Sequence, residues 1–284
     1  MDSLFCFGLG YSAEVLARRL LAQGWSVSGT AREPARLDAL RGMGIQAHRF
    51  DRDHPLPSAA LAGVTHLLSS VPPDAQGDPV LDGAAQAIVS AGPGLRWIGY
   101  LSTTAVYGDW RGAWVDETSP LRPSSDRAWR RVTAEAAWQD LLRQHNLPVQ
   151  VFRLAGIYGP GRSPLDDVRA GTARRVVKRG QIFSRIHVED IANVLQASMG
   201  QPRPGAVYNV CDDEPARPQD VIAFACELLG MASPPEIPFE QASLSPMAQT
   251  FWADNKRVRN TLLHEELGVS LAYPTYREGL RGLL

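Results

Sequence analysis

Residues Leu4-Phe5-Cys6-Phe7 form an apolar run that meets Gly8-Leu9-Gly10 and passes directly into an amphipathic segment ending near Gln23. Val15, Leu16, Leu20 and Leu21 recur at helical spacing and place one apolar stripe against a sheet. From Gly8 through Gly10 to Ala13 the spacing reads Gly-x-Gly-x-x-Ala, the form of a dinucleotide fingerprint. Gly8 permits the tight turn, Gly10 lets a pyrophosphate approach the backbone, and Ala13 keeps the helix close to its strand. The helix start offers unpaired N–H groups and a partial positive charge to phosphates. Gly8, Gly10, Tyr11, Ser12 and Ala13 are therefore the first expected cofactor-binding set. A plain glycine turn has the same spacing. A second apolar strand, Trp25 to Ser28, entered through Gly24, is the context that favours the dinucleotide.

That second strand runs on to Gly29-Thr30-Ala31-Arg32. A carboxylate at this point would bind the adenine ribose of NAD, and none is present. Thr30 can donate a hydrogen bond, and the planar fork of Arg32 suits a 2′-phosphate. NADP is the expected cofactor in preference to NAD. The alternative for Arg32 is a solvated residue opening the helix Pro34 to Arg41. The strand Gln46 to Phe50 is followed by Asp51, which is either an acceptor for the adenine amino group or an exposed turn residue. The apolar strand Val64 to Val71 ends in Pro72-Pro73, two prolines that stop it. Val71 and Pro72 thus belong to a loop at the carboxyl end of the sheet, where ligands bind in open α/β folds.

Length and balance agree with this class. The 284 residues, with a formal net charge of −1, suit a large α/β domain or a nucleotide domain with a smaller lobe. No global basic field points to nucleic acid or an anionic membrane. Cys6, Cys211 and Cys226 are scattered without metal spacing and read as buried small hydrophobes in a reducing compartment. No metal site is expected. No apolar run is long enough to span a bilayer, and the chain begins on its first strand, so a cytoplasmic location is expected.

The helix Gly77 to Ala91 and the strand Arg96 to Leu101 lead into Ser102-Thr103-Thr104-Ala105-Val106-Tyr107-Gly108. Hydroxyls at a strand end can hold a substrate oxygen or merely satisfy the backbone. Asp126 to His145 reads as a helix with Trp129, Val132, Ala136, Leu141 and Leu142 as its apolar positions, and Leu147 to Leu154 as a strand. Ser163 to Gly180 reads as a basic helix, with Arg169 to Arg179 as a solvated face or an anion site. Ile182 to Val188 is extended, Glu189 to Met199 helical, and Ala206 to Val210 a further strand. Pro218 to Leu229 is an amphipathic helix, and Pro234, Pro235 and Pro238 mark an irregular loop. Asn255 to Leu267 and Thr275 to Leu284 are expected as late helices. The expected fold is α/β, a Rossmann-like doubly wound parallel sheet of about seven strands with a smaller C-terminal substrate lobe. Residues 1–155 with 181–212 are assigned to the NADP-binding domain, and residues 156–180 with 213–284 to the lobe.

These segments together resemble the extended short-chain dehydrogenase/reductases, the group of NAD-dependent epimerases and dehydratases. The resemblance rests on five stretches. They are the fingerprint, Ser102 to Gly108, Arg153-Leu154-Ala155-Gly156-Ile157-Tyr158-Gly159-Pro160-Gly161-Arg162, Ile186-His187-Val188-Glu189-Asp190-Ile191-Ala192, and Tyr208-Asn209-Val210. It implies that Thr103 takes the place of the catalytic Ser/Thr beside Ser102, that Leu154, Gly156 and Ile157 lie near the nicotinamide, and that the chain forms a homodimer.

One departure bears on chemistry. The family carries Tyr-x-x-x-Lys ahead of a frequent Ala-Glu. Counting back from Ala134-Glu135 puts Arg127 at the tyrosine and Arg131 at the lysine. The chain therefore resembles the branch lacking the active-site tyrosine. Arginine, with a pKa above about 12, is no base near neutrality. Arg131 can still bind ribose hydroxyls. A substitute acid would be Tyr107, Tyr158 or His187, each of which can equally be a packing residue. Two functions follow as alternatives: an oxidoreductase or epimerase-like protein acting on a small polar, sugar-derived substrate, or a non-catalytic NADP(H)-binding sensor or scaffold.

Overall fold

The apolar run at the amino terminus becomes strand β1 (Ser3–Phe7), in which Leu4, Phe5, Cys6 and Phe7 are all 0% exposed. Burial on both faces explains why the run does not alternate. The structure, a computed structural model, describes residues 2–57 and 59–284. After β1 come α1 (Tyr11–Ala22), β2 (Ser26–Ala31), α2 (Pro34–Gly42), β3 (Gln46–Arg49), β4 (His66–Ser69), α3 (Pro79–Ala91) and β5 (Trp97–Thr103). Next are β6 (Trp114–Val115), α4 (Asp126–His145), β7 (Val149–Leu154), β8 (Gly156–Tyr158), α5 (Pro164–Arg169), β9 (Arg175–Val177) and β10 (Arg185–His187). The chain closes with α6 (Val188–Gly200), β11 (Val207–Val210), α7 (Pro218–Leu228), β12 (Glu236–Pro238), α8 (Pro246–Ala253), β13 (Arg257–Val258), α9 (Thr261–Glu265) and α10 (Tyr276–Arg281).

The seven-stranded parallel sheet runs β3-β2-β1-β4-β5-β7-β11, as expected for a Rossmann-like fold. Strand order reverses between β1 and β4, and the glycine turn follows β1 at that switch point. Two compact units emerge: residues up to Thr103 with Trp129–Arg153 and Ala192–Tyr208, and Thr104–Ala128 with Leu154–Ile191 and Asn209–Leu284.

The first unit packs β1, β4 and β5 against α3 and α4 through Phe5, Phe7, Leu67, Ile88, Ile98 and Trp138. Trp138 stacks on Tyr100 with centroids 5.5 Å apart. The expected face of α4 needs correction: Trp129 is 57% exposed and Ala136 is also exposed, while Ala134, Trp138 and Leu141 are buried. The cause is Glu135, which a buried ion pair with Arg153 draws to the interior and which therefore sets the helix phase.

The second unit holds three two-stranded parallel ladders, β10-β8, β12-β9 and β13-β6. Its core joins Leu165, Val168, Val221, Phe224, Tyr276 and Leu280. Three expectations change here. The basic helix Ser163 to Gly180 is only α5, started by a Ser163/Asp166 capping box, followed by β9. The proline loop contains β12; a two-stranded ladder tolerates proline because its outer edge needs no donor. The expected helix Asn255 to Leu267 begins instead as β13, where the Arg257 and Arg259 N–H groups donate to the Ala113 and Val115 carbonyls. The three cysteines are free and buried. Among the described residues no helix is long and apolar enough to cross a membrane, and no group of three acidic, His or Cys side chains is placed to hold a metal.

Candidate functional site

In the first unit the glycine turn is built from both sides. Gly8 has φ +77°, and a Cβ there would stand 2.9 Å from Cγ2 of Val71. The Gly8 N–H donates to Thr30 Oγ1 at 2.9 Å, and the Leu9 N–H donates to the Thr30 carbonyl at 2.8 Å. The Ser70 N–H donates to the Phe7 carbonyl at 2.9 Å, and the Ser70 hydroxyl donates to the Gly8 carbonyl. Val71 is thereby brought to the turn, while Pro72 beyond it is exposed. Thr30, offered to the ribose by the sequence, is 1% exposed and holds the turn instead.

Gly10 differs from Gly8. A Cβ there would meet only the Gly8 carbonyl oxygen, at 4.0 Å. Gly10 is also the N-cap of α1, and no side chain caps the amides that follow. Tyr11 is half-buried, and Ser12 and Ala13 are buried at this helix start. Open space above uncapped amides fits a pyrophosphate. Arg32, just beyond β2, is exposed and has no ion-pair partner among the described residues. Asp51 accepts from the Asp53 N–H at 3.0 Å and lies 2.7 Å from His54 Nδ1, an interaction that holds its carboxyl below the usual range.

At the carboxyl end of β5 the hydroxyls face two different tasks. Ser102 is buried and donates to Glu135 Oε1 at 2.5 Å, while Arg153 Nη2 donates to Glu135 Oε2 at 2.8 Å. One turn earlier on α4, Arg131 Nη1 donates to the Leu101 carbonyl at 2.8 Å and to the Tyr100 hydroxyl at 3.1 Å. Thr103 is half-buried at the strand's last position. The sequence named Arg131 and Ser102 for the cofactor but did not anticipate the Glu135–Arg153 pair between them. The Ala-Glu motif carried that signal.

In the second unit Tyr107 is fully buried, and its hydroxyl donates to Asn209 Oδ1 at 2.7 Å. Tyr158 and His187 come together, edge to face, with centroids 5.2 Å apart. A Cβ on Gly279 would stand 1.9 Å from the Tyr158 hydroxyl, so α10 covers that group, and burial pushes its pKa up. His187 is 1% exposed, its Nδ1 accepts the Glu189 N–H at 3.2 Å, and its ring centroid lies 4.0 Å from that of Tyr273. Leu154 is buried, Ile157 stands opposite Ile186, and the exposed Gly156 donates its N–H to the Ser184 carbonyl at 3.1 Å. Arg127 is exposed, with its guanidinium 6.0 Å above the Phe251 ring. Buried titratable groups of this unit carry no signal in the sequence: burial lowers the pKa of Lys256, whose ammonium donates to the Gly108 carbonyl at 2.9 Å, and of Arg185, and raises that of Asp212.

Comparison with known proteins agrees with this architecture. The model of the NAD dependent epimerase/dehydratase family matches residues 83–211. Protein YeeZ of Escherichia coli is 31% identical over 288 residues, covering 96% of this chain and 97% of that protein. The structure of a functionally unknown conserved protein from Silicibacter pomeroyi DSS is 55% identical with a TM-score of 0.92, covering 100% of this chain and 98% of that one. A dTDP-glucose 4,6-dehydratase from Bacillus anthracis, in complex with NAD, shares 15% identity with a TM-score of 0.76 over 100% of this chain and 95% of that one. This last likeness is one of fold.

Proposed function

The chain belongs to the NAD-dependent epimerase/dehydratase family, and from that premise we propose that it is an NADP(H)-binding, oxidoreductase- or epimerase-like protein acting on a small polar, sugar-derived molecule. The observation that carries the reading is the open, uncapped start of α1 above Gly10, with the exposed Arg32 just beyond β2, which has no ion-pair partner among the described residues. Bound there, the nicotinamide would supply or accept a hydride. Gly8, Gly10, Tyr11, Ser12 and Ala13 would hold the pyrophosphate, and Arg32 the 2′-phosphate. Thr103 would orient the reacting oxygen. The remaining nitrogens of Arg131 would face the nicotinamide ribose, since its Nη1 is held by strand β5. Calorimetric titration with NADPH and NADH, followed by an absorbance screen of sugar nucleotides and simple carbonyls, tests both halves of the reading.

A second reading, an NADP(H) sensor or scaffold without turnover, has its own support. The Tyr107 hydroxyl is engaged by Asn209, and the Tyr158 hydroxyl is packed under α10. Arg127 offers charge but no proton shuttle. Cofactor binding without turnover across the screen would favour this reading.

A further inference from the structure

The first turn of α1 carries a carboxylate where a pyrophosphate is to be received. The Glu14 N–H donates to the Gly10 carbonyl at 2.9 Å, which fixes this side chain one turn from the glycine pair. An acid in the first turn suits the dipole of the helix alone. A pyrophosphate at the same amides would meet it as a like charge. Arg36, on the first turn of α2, answers that charge. Its Nη2 donates to the Leu9 carbonyl at 2.9 Å and its Nε to the same oxygen at 3.3 Å, while Nη2 also donates to Glu14 Oε2. Arg18 pairs with the other Glu14 oxygen at 2.7 Å but is 56% exposed, against 32% for Arg36. Partial burial raises the Glu14 pKa, yet hydrogen bonds from Arg36 and Arg18 outweigh it and hold the carboxyl below its usual range.

We propose that Arg36 is a positioning residue of the dinucleotide site: it pins the carbonyl between the two glycines and neutralises Glu14, so that the open amides present net attraction to a pyrophosphate. The inference rests on the cofactor reading above but has a different signature. Arg32 discriminates between NADP and NAD. Arg36 acts on the pyrophosphate that both carry.

The test is calorimetric titration of the full chain with NADPH and with NADH. The variants are Arg36→Met, Arg36→Lys, Glu14→Gln and the double variant Glu14→Gln/Arg36→Met, each checked for folding by thermal unfolding. Arg36→Met is expected to weaken both nucleotides about tenfold with their ratio unchanged. Arg36→Lys should keep part of the affinity, and the double variant should recover most of it. Loss confined to NADPH would make Arg36 a 2′-phosphate ligand and overturn the proposal. Undiminished affinity in Arg36→Met, or no recovery in the double variant, would also overturn it. If Arg36→Met does not fold, Glu14→Gln decides: tighter binding of both nucleotides supports the proposal, and unchanged binding overturns it. A parent protein that binds neither nucleotide overturns the cofactor reading itself, and this inference with it.

Discussion

Arg131 donates from Nη1 to the Leu101 carbonyl at 2.8 Å, and so clamps α4 to the strand that ends in Thr103. One turn later Glu135 accepts from the Ser102 hydroxyl and from Arg153. Consecutive turns of one helix therefore grip consecutive residues of one strand. The helix that would carry a catalytic tyrosine in this family here contributes two side chains that hold the hydroxyl strand in place.

The buried pair should dominate the stability of that junction. Glu135 and Arg153 side chains are 8% and 7% exposed, and removing Glu135 takes from the buried guanidinium the carboxylate it pairs with. Glu135→Ala is expected to cost about 3–5 kcal/mol, and Ser102→Ala about 1 kcal/mol, the worth of one hydrogen bond. Urea unfolding followed by tryptophan fluorescence measures both. Equal costs for the two variants would mean that Arg153 finds another partner.

Much of this fold is legible in the sequence, because buried parallel strands and amphipathic helices carry strong local patterns. The glycine turn, the strands of the sheet and the span of α4 follow from periodicity and glycine placement. The phase of α4 does not, because it is set by Glu135, whose partner lies on β7, distant in sequence. The short ladders β12-β9 and β13-β6 are equally silent, since two or three residues show no period. At the candidate site, residue types pointed to Gly8, Gly10 and Arg32. Nothing local in the sequence reveals that the Thr30 hydroxyl accepts the Gly8 N–H instead of facing a ligand. Arg36 is hidden for the same reason: its partners Leu9 and Glu14 lie 27 and 22 residues from it in sequence, beyond the intervening strand β2.

The proposed preference for NADP is tested at Arg32. Arg32 follows the last residue of β2, with Glu33 next as the N-cap of α2, and its exposed guanidinium, which has no ion-pair partner among the described residues, would take a 2′-phosphate on the proposed reading. NADPH is expected to bind more tightly than NADH, and Arg32→Ala to erase most of the difference. Loss of one charge-assisted contact should cost about 1.5–3 kcal/mol, roughly tenfold to a hundredfold in affinity. Equal affinities for the two nucleotides in the parent protein would refute the assignment.

Gly10 offers a cleaner test of where the pyrophosphate lies. Its backbone is extended, with φ −94°, and a Cβ there meets nothing closer than 4.0 Å. Gly10→Val should therefore fold as the parent does, while the added methyl groups fill the space above the α1 amides. NADPH fluorescence titration should show binding lost, with thermal unfolding little changed. Undiminished binding would place the dinucleotide elsewhere.

Acid should destabilise the first unit through His66. Burial, aided by the nearby Arg96 charge, lowers its pKa from 6.5 to about 4, with Asp2 opposing. The ring is 5% exposed, packed 4.8 Å from Trp25, with Nδ1 2.9 Å from the Thr65 hydroxyl. Because the folded pKa lies below the unfolded one, the unfolded chain binds the proton first. Stability is then fully present above about pH 6.5 and is lost as pH falls towards 4. The contribution is on the order of 3 kcal/mol. Urea midpoints measured from pH 7 to pH 4 should fall less steeply in His66→Gln than in the parent; parallel slopes would assign the acid sensitivity to other groups.

Catalysis is the sharpest test of the arginine pair. Hydride transfer to or from an alcohol needs a proton moved in the same event, and a well-placed acid–base group contributes about a hundredfold to ten-thousandfold. Arg127 and Arg131 hold their protons at any working pH. Tyr107 and Tyr158 are buried with engaged or covered hydroxyls, and His187 is enclosed by aromatic rings. Binding of NADP(H) is therefore expected with slow or no turnover of sugar nucleotides and simple carbonyls. Any turnover is expected to depend on one of these three groups. In an active reaction, Tyr107→Phe, Tyr158→Phe, His187→Gln and Arg127→Ala are compared at saturating substrate and across pH. One of the first three should lower kcat at least a hundredfold and remove a limb of the pH profile. Fast turnover abolished by Arg127→Ala alone, with the other three harmless, would instead require an arginine-centred chemistry and overturn this account of the site.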